Sequence, residues 1–365
     1  MAESRELVIV GGGPAGAATA IALARENPAL ASRALILDRA AFPRDKTCAG
    51  GLIPHTMTIL DELGLGLDVP FVRVDHARVD VAGERIDIAS PDCCRVLRRR
   101  EFDAMLLDAA RGHGVEVRES VRLLGARREG AQLVLTTDQG EIRTRAVVGA
   151  DGSGSLVRRA LISDDEGWVA RAVMCDVPID ASEAPPRFEF DFRAVLEGLS
   201  GYAWSFPCLI EGRPHWNVGV YSLARRGEGG RLARLLDDRA RADDAPRKAH
   251  PIRLYRGGQA ISAPGVLLVG DAAGVDPLLG EGISFALQFG QLAATTLAQG
   301  FATGDLGFRG YDRTVRRSPM GRKLHRLGFA ARMMYGPAGP LCFRIARLSR
   351  RAQIVGMNWY NGVAH

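Results

Sequence analysis

Residues 7–16 read Leu7-Val8-Ile9-Val10-Gly11-Gly12-Gly13-Pro14-Ala15-Gly16, and this stretch decides how the rest of the chain is read. Four apolar, mostly β-branched residues run into glycines 11, 13 and 16, spaced G-x-G-x-x-G. The pattern predicts a buried strand, a tight turn and a helix that begins at about Pro14. Gly11 permits the turn, Gly13 lets the backbone approach a pyrophosphate, and Gly16 lets helix and strand pack closely. The unpaired N–H groups of the first helical turn then face the phosphates. Glycine-rich turns also occur as plain structural turns. The position of this one, inside the first strand–turn–helix, is the context a dinucleotide site requires.

Working outward, residues 14–25 read as an alanine-rich helix and 34–37 as a second apolar strand that ends at Asp38. An acid at this strand end accepts hydrogen bonds from the hydroxyls of an adenosine ribose. Asp38 stands 27 residues past Gly11, beyond the usual interval of roughly 20, because the 27–32 connection is long. The competing reading is an acid that caps the strand end. An acidic ribose partner disfavours a 2′-phosphate, so the bound nucleotide is expected to be NAD or FAD rather than NADP.

Residues 42–54 then form an irregular loop with Cys48 and two adjacent glycines, followed by a helix over 55–63. Residues 71–90 predict a β-hairpin turning at Gly83-Glu84, and 96–111 a helix carrying Arg98-Arg99-Arg100. Strands over 115–149 end in a buried, parallel-type run at 146–150. The turn from Gly149 to Arg158 repeats the strand–glycine–helix logic, with Asp151 added. Residues 168–223 alternate and are aromatic, as an inserted antiparallel sheet would be, and 225–247 read as a charged surface helix. Residues 265–271 form another buried strand ending in an acid, Asp271. A glycine-rich turn and a helix from Ile283 follow, and helices continue to about 351 with breaks at Gly336-Pro337 and Gly339-Pro340.

The chain has 365 residues, enough for two domains, and its 47% apolar and 25% charged content is that of an ordinary globular protein. The net charge is +6, but residues 309–351 hold twelve Lys or Arg against the single acid Asp312. Such a tail suits an anionic partner or a membrane surface. Its arginines are not interleaved with stacking aromatics, which argues against nucleic acid. Six cysteines (48, 93, 94, 175, 208, 342) form no C-x-x-C pair and no metal spacing. With no secretory signal before the first strand, a reducing cytoplasmic setting is expected, peripheral to a membrane through the tail. The uncharged run 282–304 contains glutamines, hydroxyls and glycines, so it reads as a buried helix rather than a span.

Three motifs, GGGPAG (11–16), GADGSGSLVR (149–158) and GDAAGVDPLLGEGI (270–283), together resemble the p-hydroxybenzoate hydroxylase-like flavoprotein superfamily. Within it, Lys46-Thr-Cys48-Ala-Gly-Gly51-Leu-Ile-Pro54 is similar to the K-x-C-G-G-G-L loop of the geranylgeranyl reductases, and Tyr202-Ala-Trp204-Ser-Phe206-Pro207 to their Y-x-W-x-F-P motif. Two departures, Ala49 for a glycine and Cys208 where a lysine is common, leave the flavin implied and the substrate open.

The resemblance implies an α/β fold. A Rossmann-like FAD-binding domain (1–70, 91–165, 257–302) would carry an inserted antiparallel-sheet substrate domain (71–90, 166–256) and a basic helical region (303–365). It implies FAD held by Gly11, Gly13, Pro14, Ala15 and Gly16 at the pyrophosphate, and by Asp38 with Arg39 at the ribose. Cys48, Ala49, Gly50 and Arg99 would lie on the flavin side, Asp151 near the pyrophosphate, and Gly270 and Asp271 at the ribityl chain. Gly282 and Ile283 would begin a helix aimed at the flavin ring. Cys48, Tyr202 and Trp204 are the candidate catalytic residues, with Tyr202, Trp204 and Phe206 sharing one strand face as an aromatic wall. Two reactions fit: reduction of a carbon–carbon double bond in an isoprenoid or lipid-like substrate, or hydroxylation of an apolar or aromatic natural-product substrate by an FAD-dependent monooxygenase. NAD(P)H or ferredoxin would supply electrons. The W-x-W-x-I-P stretch of the halogenases is missing.

Overall fold

The strand Glu3–Val10 lies inside the first sheet, and its last four residues, Leu7 to Val10, are buried. The structure is a computed structural model that describes residues 3–81, 83–162, 167–180, 187–223, 229–240 and 245–346. Among these, one eight-stranded sheet has the core order Ser262–Ala263, Val266–Leu268, Gly140–Gly149, Glu3–Val10, Ala34–Leu37, Glu116–Arg118. Leu123–Glu129 and Gln132–Thr137 add an antiparallel flap to Gly140–Gly149. The strands around Glu3–Val10 run parallel to it, so Val10 sits level with both Leu37 and Gly149. The turns at 11, 38 and 150 therefore open at one carboxyl edge, where doubly wound sheets bind ligands.

Helix Pro14–Glu26 packs behind that edge, with Pro14 to Ala24 all buried. Helix Ile283–Thr303 lies along it and ends at Gly304, whose φ of 77° is the left-handed cap expected of glycine. No helix among the described residues is long and apolar enough to cross a membrane.

The second sheet also has eight strands, in the order Lys248–Leu254, Trp168–Pro178, Arg213–Leu223, Gly201–Ile210, Arg187–Asp191, Phe71–Val81, Glu84–Leu97, Gly51–Leu52. It is antiparallel except at one join, where Arg187–Asp191 runs parallel to Phe71–Val81. That join links two hairpin systems far apart in sequence, which no local pattern announces.

Several boundaries differ from the sequence reading. Glu84–Leu97 continues past position 91 because Val96 pairs with Gly51 and Val72, so the following helix is Arg99–Gly112 rather than 96–111. The short loop strand at 51–52 also joins this sheet. Gly339-Pro340 begins helix Gly339–Ala346 rather than breaking one, with proline at a helical start where its missing N–H costs nothing. The break expected at Gly336-Pro337 is present, spanning 336–338, and another comes at Ser318, whose Oγ accepts from Gly321 N and caps helix Pro319–Tyr335. The charged stretch 225–247 contains helix Gly229–Ala240, which presses Leu232 and Leu236 onto the back of the second sheet. Arg347, Arg350 and Arg351 of the basic tail lie outside the described residues.

Candidate cofactor and substrate cavity

Between the two sheets lies a cavity of 1020 Å³. Every residue expected at the site borders it except Gly16 and Gly270, which stand one layer behind. Gly16 backs onto Gly11, where a Cβ would meet Gly11 O at 1.9 Å, and Gly270 backs onto Ala15. Gly11 itself has φ of 111° and no room for a Cβ beside Ala150 O, so the turn needs glycine on both counts.

At the sheet edge, Asp38 accepts from Gly12 N at 2.8 Å and Ala40 N at 2.9 Å. The acid thus does cap the strand end, and each oxygen keeps a lone pair for a further donor. Asp151 accepts from Ser155 Oγ and from the backbone N–H groups of Leu156 and Val157, so its carboxylate caps the helix Leu156–Leu161 from the cavity wall. Burial pushes its carboxyl above the ordinary range. Asp271, on the turn Gly270–Ala272, accepts from Ser153 Oγ at 3.0 Å and borders the cavity beside Gly282.

Of the arginine triplet, Arg99 faces the cavity, Arg98 pairs with Asp176 at 3.0 Å, and Arg100 is exposed. Arg99 makes a two-bond pair with fully buried Asp103 (2.5 and 2.8 Å). Burial works against the Arg99 charge, and the carboxylate beside it holds the guanidinium well above its usual range. Arg44 shares the same acid, with Nη2 3.0 Å from Asp103 Oδ2, and lies over the ring of Phe42. Its Nη1 is buried with no hydrogen-bond partner. Gly13 would place a Cβ 3.6 Å from Arg44 Nη2, so the glycine turn and this guanidinium share one corner. Arg44 and Asp103 carry no motif signal that single-sequence reading could use.

Opposite stands an aromatic surface. Phe190 contacts Phe188, Tyr202 and Phe206 with ring centres 5.3–5.6 Å apart. Trp204 lies 6.0 Å from Tyr202 and donates Nε1–H to Asn217 Oδ1. The wall thus has the Tyr202, Trp204 and Phe206 expected of it, widened by Phe188, Phe190 and Phe192 from the neighbouring strand and its end. A Cβ at Gly51 would lie 2.8 Å from the Phe206 ring, so the cysteine loop and the wall touch. Cys48 accepts from Gly50 N at 3.4 Å.

The glycine-rich turn after Asp271 is tied down at three consecutive carbonyls. Tyr221 donates to Pro277 O at 3.0 Å, Tyr335 to Leu278 O at 2.9 Å and Tyr202 to Leu279 O at 2.5 Å. Asp276 accepts from Leu278 N and Leu279 N. At the start of helix Ile283–Thr303, Glu281 accepts from Ser284 N and Ser284 Oγ. Its carboxyl, raised by burial, therefore takes one of the N–H groups expected to face a ligand.

Residues 4–195 match the family of FAD binding domains. The menaquinone reductase of Mycobacterium tuberculosis is 30% identical over 321 residues, covering 81% of this chain and 77% of that protein. The chain belongs to the family of FAD-binding-domain flavoproteins. A digeranylgeranylglycerophospholipid reductase of Methanoculleus marisnigri is 29% identical, covering 89% of this chain and 85% of that one. The solved structure of a geranylgeranyl bacteriochlorophyll reductase-like protein from Thermoplasma acidophilum shares the fold with a TM-score of 0.80 at 22% identity, covering 98% and 96% of the two chains. A probable FAD-dependent monooxygenase from Pseudomonas aeruginosa shares it at 0.67 and 20%, covering 94% and 100%.

The residues present fit FAD. Helix Pro14–Glu26 has neither a side-chain cap nor an acid in its first turn, leaving its N–H groups for an anion. The orphaned Arg44 Nη1 stands at the same corner, as a pyrophosphate partner would. As a flavoprotein of this kind, the chain is an FAD-dependent oxidoreductase.

Proposed function

We propose that this protein reduces carbon–carbon double bonds in an isoprenoid or lipid-like substrate. The observation that carries the reading is the continuity of one cavity, which is polar and cationic at the glycine turn and aromatic at Phe188, Phe190, Tyr202 and Phe206. A planar cofactor with phosphates suits the first half and a flexible polyene suits the second. Relatives named as reductases of menaquinone and of digeranylgeranylglycerophospholipid support the same substrate class.

Bound and reduced, FAD supplies the hydride pair. The chain's own part is to hold the substrate against the aromatic wall and to exclude water. Arg44, Arg99 and the helix N-termini offset negative charge on the cofactor. Tyr202, Tyr221 and Tyr335 fix the 277–279 backbone, of which Leu278 and Leu279 border the cavity. Asp38 and Asp271 are proposed at the ribose and the ribityl chain, and Asp151 as the cap that shapes the phosphate turn. NAD(P)H or ferredoxin is the proposed electron source.

Substrate entry is proposed from an anionic membrane surface. Ala330, Met334 and Phe343 border the cavity, while Phe329, Met333 and Leu341 on the same two helices are exposed at 67%, 41% and 61%. Arg322, Arg326 and Arg332 flank them, the combination that seats a helix on charged lipid.

The fold shared with monooxygenases makes oxygen insertion the rival outcome. Incubating the reduced protein with prenylated lipids and weighing the product decides between them. A gain of two hydrogens per bond supports the proposal, and a gain of oxygen overturns it.

A further inference from the structure

Lys46 and His250 lie 204 positions apart in sequence, yet Lys46 Nζ stands 2.7 Å from His250 Nε2. Both border the cavity, Lys46 from the cysteine loop and His250 from strand Lys248–Leu254 at the edge of the second sheet. Neither residue is used in the cofactor and wall contacts described above.

The two residues form one rung of a short ladder between the loop and that strand. The neighbouring rung, Asp45 with Lys248, is an ordinary ion pair on the outside. The rung that faces the cavity joins an ammonium to an imidazole instead. A structural strap needs no such choice, since a second carboxylate would hold the lysine more tightly. With a neutral imidazole as acceptor, the lysine stays an acid that can part with its proton.

The surroundings strengthen that character. Burial is the largest influence on Lys46, and the nearby Arg99 and Arg44 add to it against Asp271 and Cys48. Together they bring its ammonium from 10.5 down to about 8. His250 is also pushed down by burial, then by Lys46, with Arg99 and Arg39 acting in the same sense and Asp271 opposing. The imidazole is therefore neutral at pH 7 and accepts through Nε2, which leaves the proton on Nδ1. Lys46 is mostly protonated at pH 7 and close enough to its midpoint to act as a general acid.

Two other proton sources in this part of the cavity are less suited. Tyr202 gives its O–H to Leu279 O, and burial lifts its hydroxyl well above the ordinary phenol range. Glu281 is held by Ser284.

We propose that Lys46, positioned by His250, delivers the proton that completes double-bond reduction, an inference that rests on the function proposed above. In the balanced step the π pair of the double bond forms a C–H bond with the Lys46 proton as the N–H bond breaks. The hydride pair from the reduced cofactor forms the C–H bond at the other carbon. The substrate gains two electrons and two hydrogens, the cofactor is oxidised, and the neutral amine regains a proton from solvent.

The test uses the FAD-loaded protein and a glycerolipid bearing geranylgeranyl chains, in anaerobic single turnovers from pH 6 to 10. In the unsubstituted protein the rate is expected to be flat below about pH 8 and to fall tenfold per unit above it, because the acid form is lost. Lys46→Met is expected to slow the step by ~10²–10⁴-fold and to abolish that limb. Lys46→Arg, which keeps a cation that does not ionise, should bind FAD and be similarly slow. His250→Glu places a carboxylate against Nζ and should move the limb to higher pH. Lysine titration by NMR in protein labelled at Cε gives a readout that needs no turnover. The Lys46 signal should titrate at about pH 8 and shift upward in His250→Glu together with the kinetic limb. A Lys46→Met protein that keeps the rate within ~3-fold and the same pH limb overturns the pair's role alone. An unsubstituted protein that adds no hydrogen overturns the proposed function, and the pair's role with it.

Discussion

The hydroxyl of Tyr202 donates to the carbonyl oxygen of Leu279 at 2.5 Å, joining the aromatic wall to the glycine-rich turn before helix Ile283–Thr303. Sequence reading offered Tyr202 as a catalytic group. Its proton is instead engaged with a backbone carbonyl, in a buried setting that makes the phenol a weaker acid. The residue is better suited to positioning than to proton transfer. Tyr202→Phe should lower stability by about 1–2 kcal/mol by leaving that carbonyl unpaired. It should also leave the pH profile of single turnover unchanged. Denaturant titration checks the first expectation, and a lost pH limb would show the second to be wrong.

Gly51 and Phe206 meet where the cysteine loop reaches the wall. In Gly51→Ala the new Cβ stands 2.8 Å from the Phe206 ring, so the ring must shift. The expected penalty is about 1–3 kcal/mol. FAD content should stay close to that of the parent while the KM for the prenylated substrate rises, as equilibrium dialysis and steady-state kinetics will show. Equal loss of flavin and substrate would place the contact in the cofactor half instead.

Arg44 supplies a buried N–H with no partner beside the glycine turn. If that group meets the pyrophosphate, Arg44→Ala removes a charge-assisted bond of ~1.5–3 kcal/mol and weakens FAD binding by ~10–100-fold. Quenching of FAD fluorescence on titration into apoprotein measures this directly. Unchanged affinity would assign Arg44 to Asp103 alone.

Lys46 also carries a stability signature. Its ammonium falls from 10.5 in the unfolded chain to about 8 when buried. Between those values the unfolded chain holds a proton that the folded one lacks, so folding becomes more favourable as pH rises. The penalty is full below pH 8, on the order of 3 kcal/mol, and is gone above 10.5. Lys46→Met apoprotein should therefore be more stable than its parent at pH 7, with the gap closing between pH 8 and 10.5. Urea midpoints across that range provide the check, and a constant gap would contradict it.

The lipid-facing surface makes a prediction of its own. Phe329→Asp combined with Met333→Asp should reduce binding to anionic vesicles at low salt and leave FAD binding intact. Vesicle sedimentation at two ionic strengths separates the apolar contribution from the charge contribution. Binding that is equal for parent and variant would remove this surface from the entry route.

What the sequence made legible was local. The glycine turn, the strand ending at Asp38 and the turn at 270–283 each announce themselves within about fifteen residues, and the structure brings all three to one sheet edge. The face shared by Tyr202, Trp204 and Phe206 follows from strand periodicity alone. Hidden were relations made by long-range pairing. The parallel join of Arg187–Asp191 to Phe71–Val81 brings Phe188 and Phe190 beside Phe206. Antiparallel pairing with Trp168–Pro178 sets His250 opposite Ala172, on the cavity-bordering edge strand that meets Lys46. Arg44 has meaning only once Asp103, one turn into a later helix, is seen between it and Arg99. Strand-end capping by Asp38 was open in the sequence and that acid does cap while bordering the cavity, whereas helix capping by Asp151 was not foreseen.

The most direct test of the central claim is the fate of the reduced flavin without oxygen. The FAD-loaded protein is reduced, freed of excess reductant and mixed anaerobically with a geranylgeranyl-bearing lipid while the yellow colour is followed. Hydride transfer to a double bond predicts that the colour returns without oxygen, with two hydrogens gained by the lipid for each flavin reoxidised. A flavin that stays colourless until oxygen is admitted, and then yields an oxygenated lipid, contradicts the account.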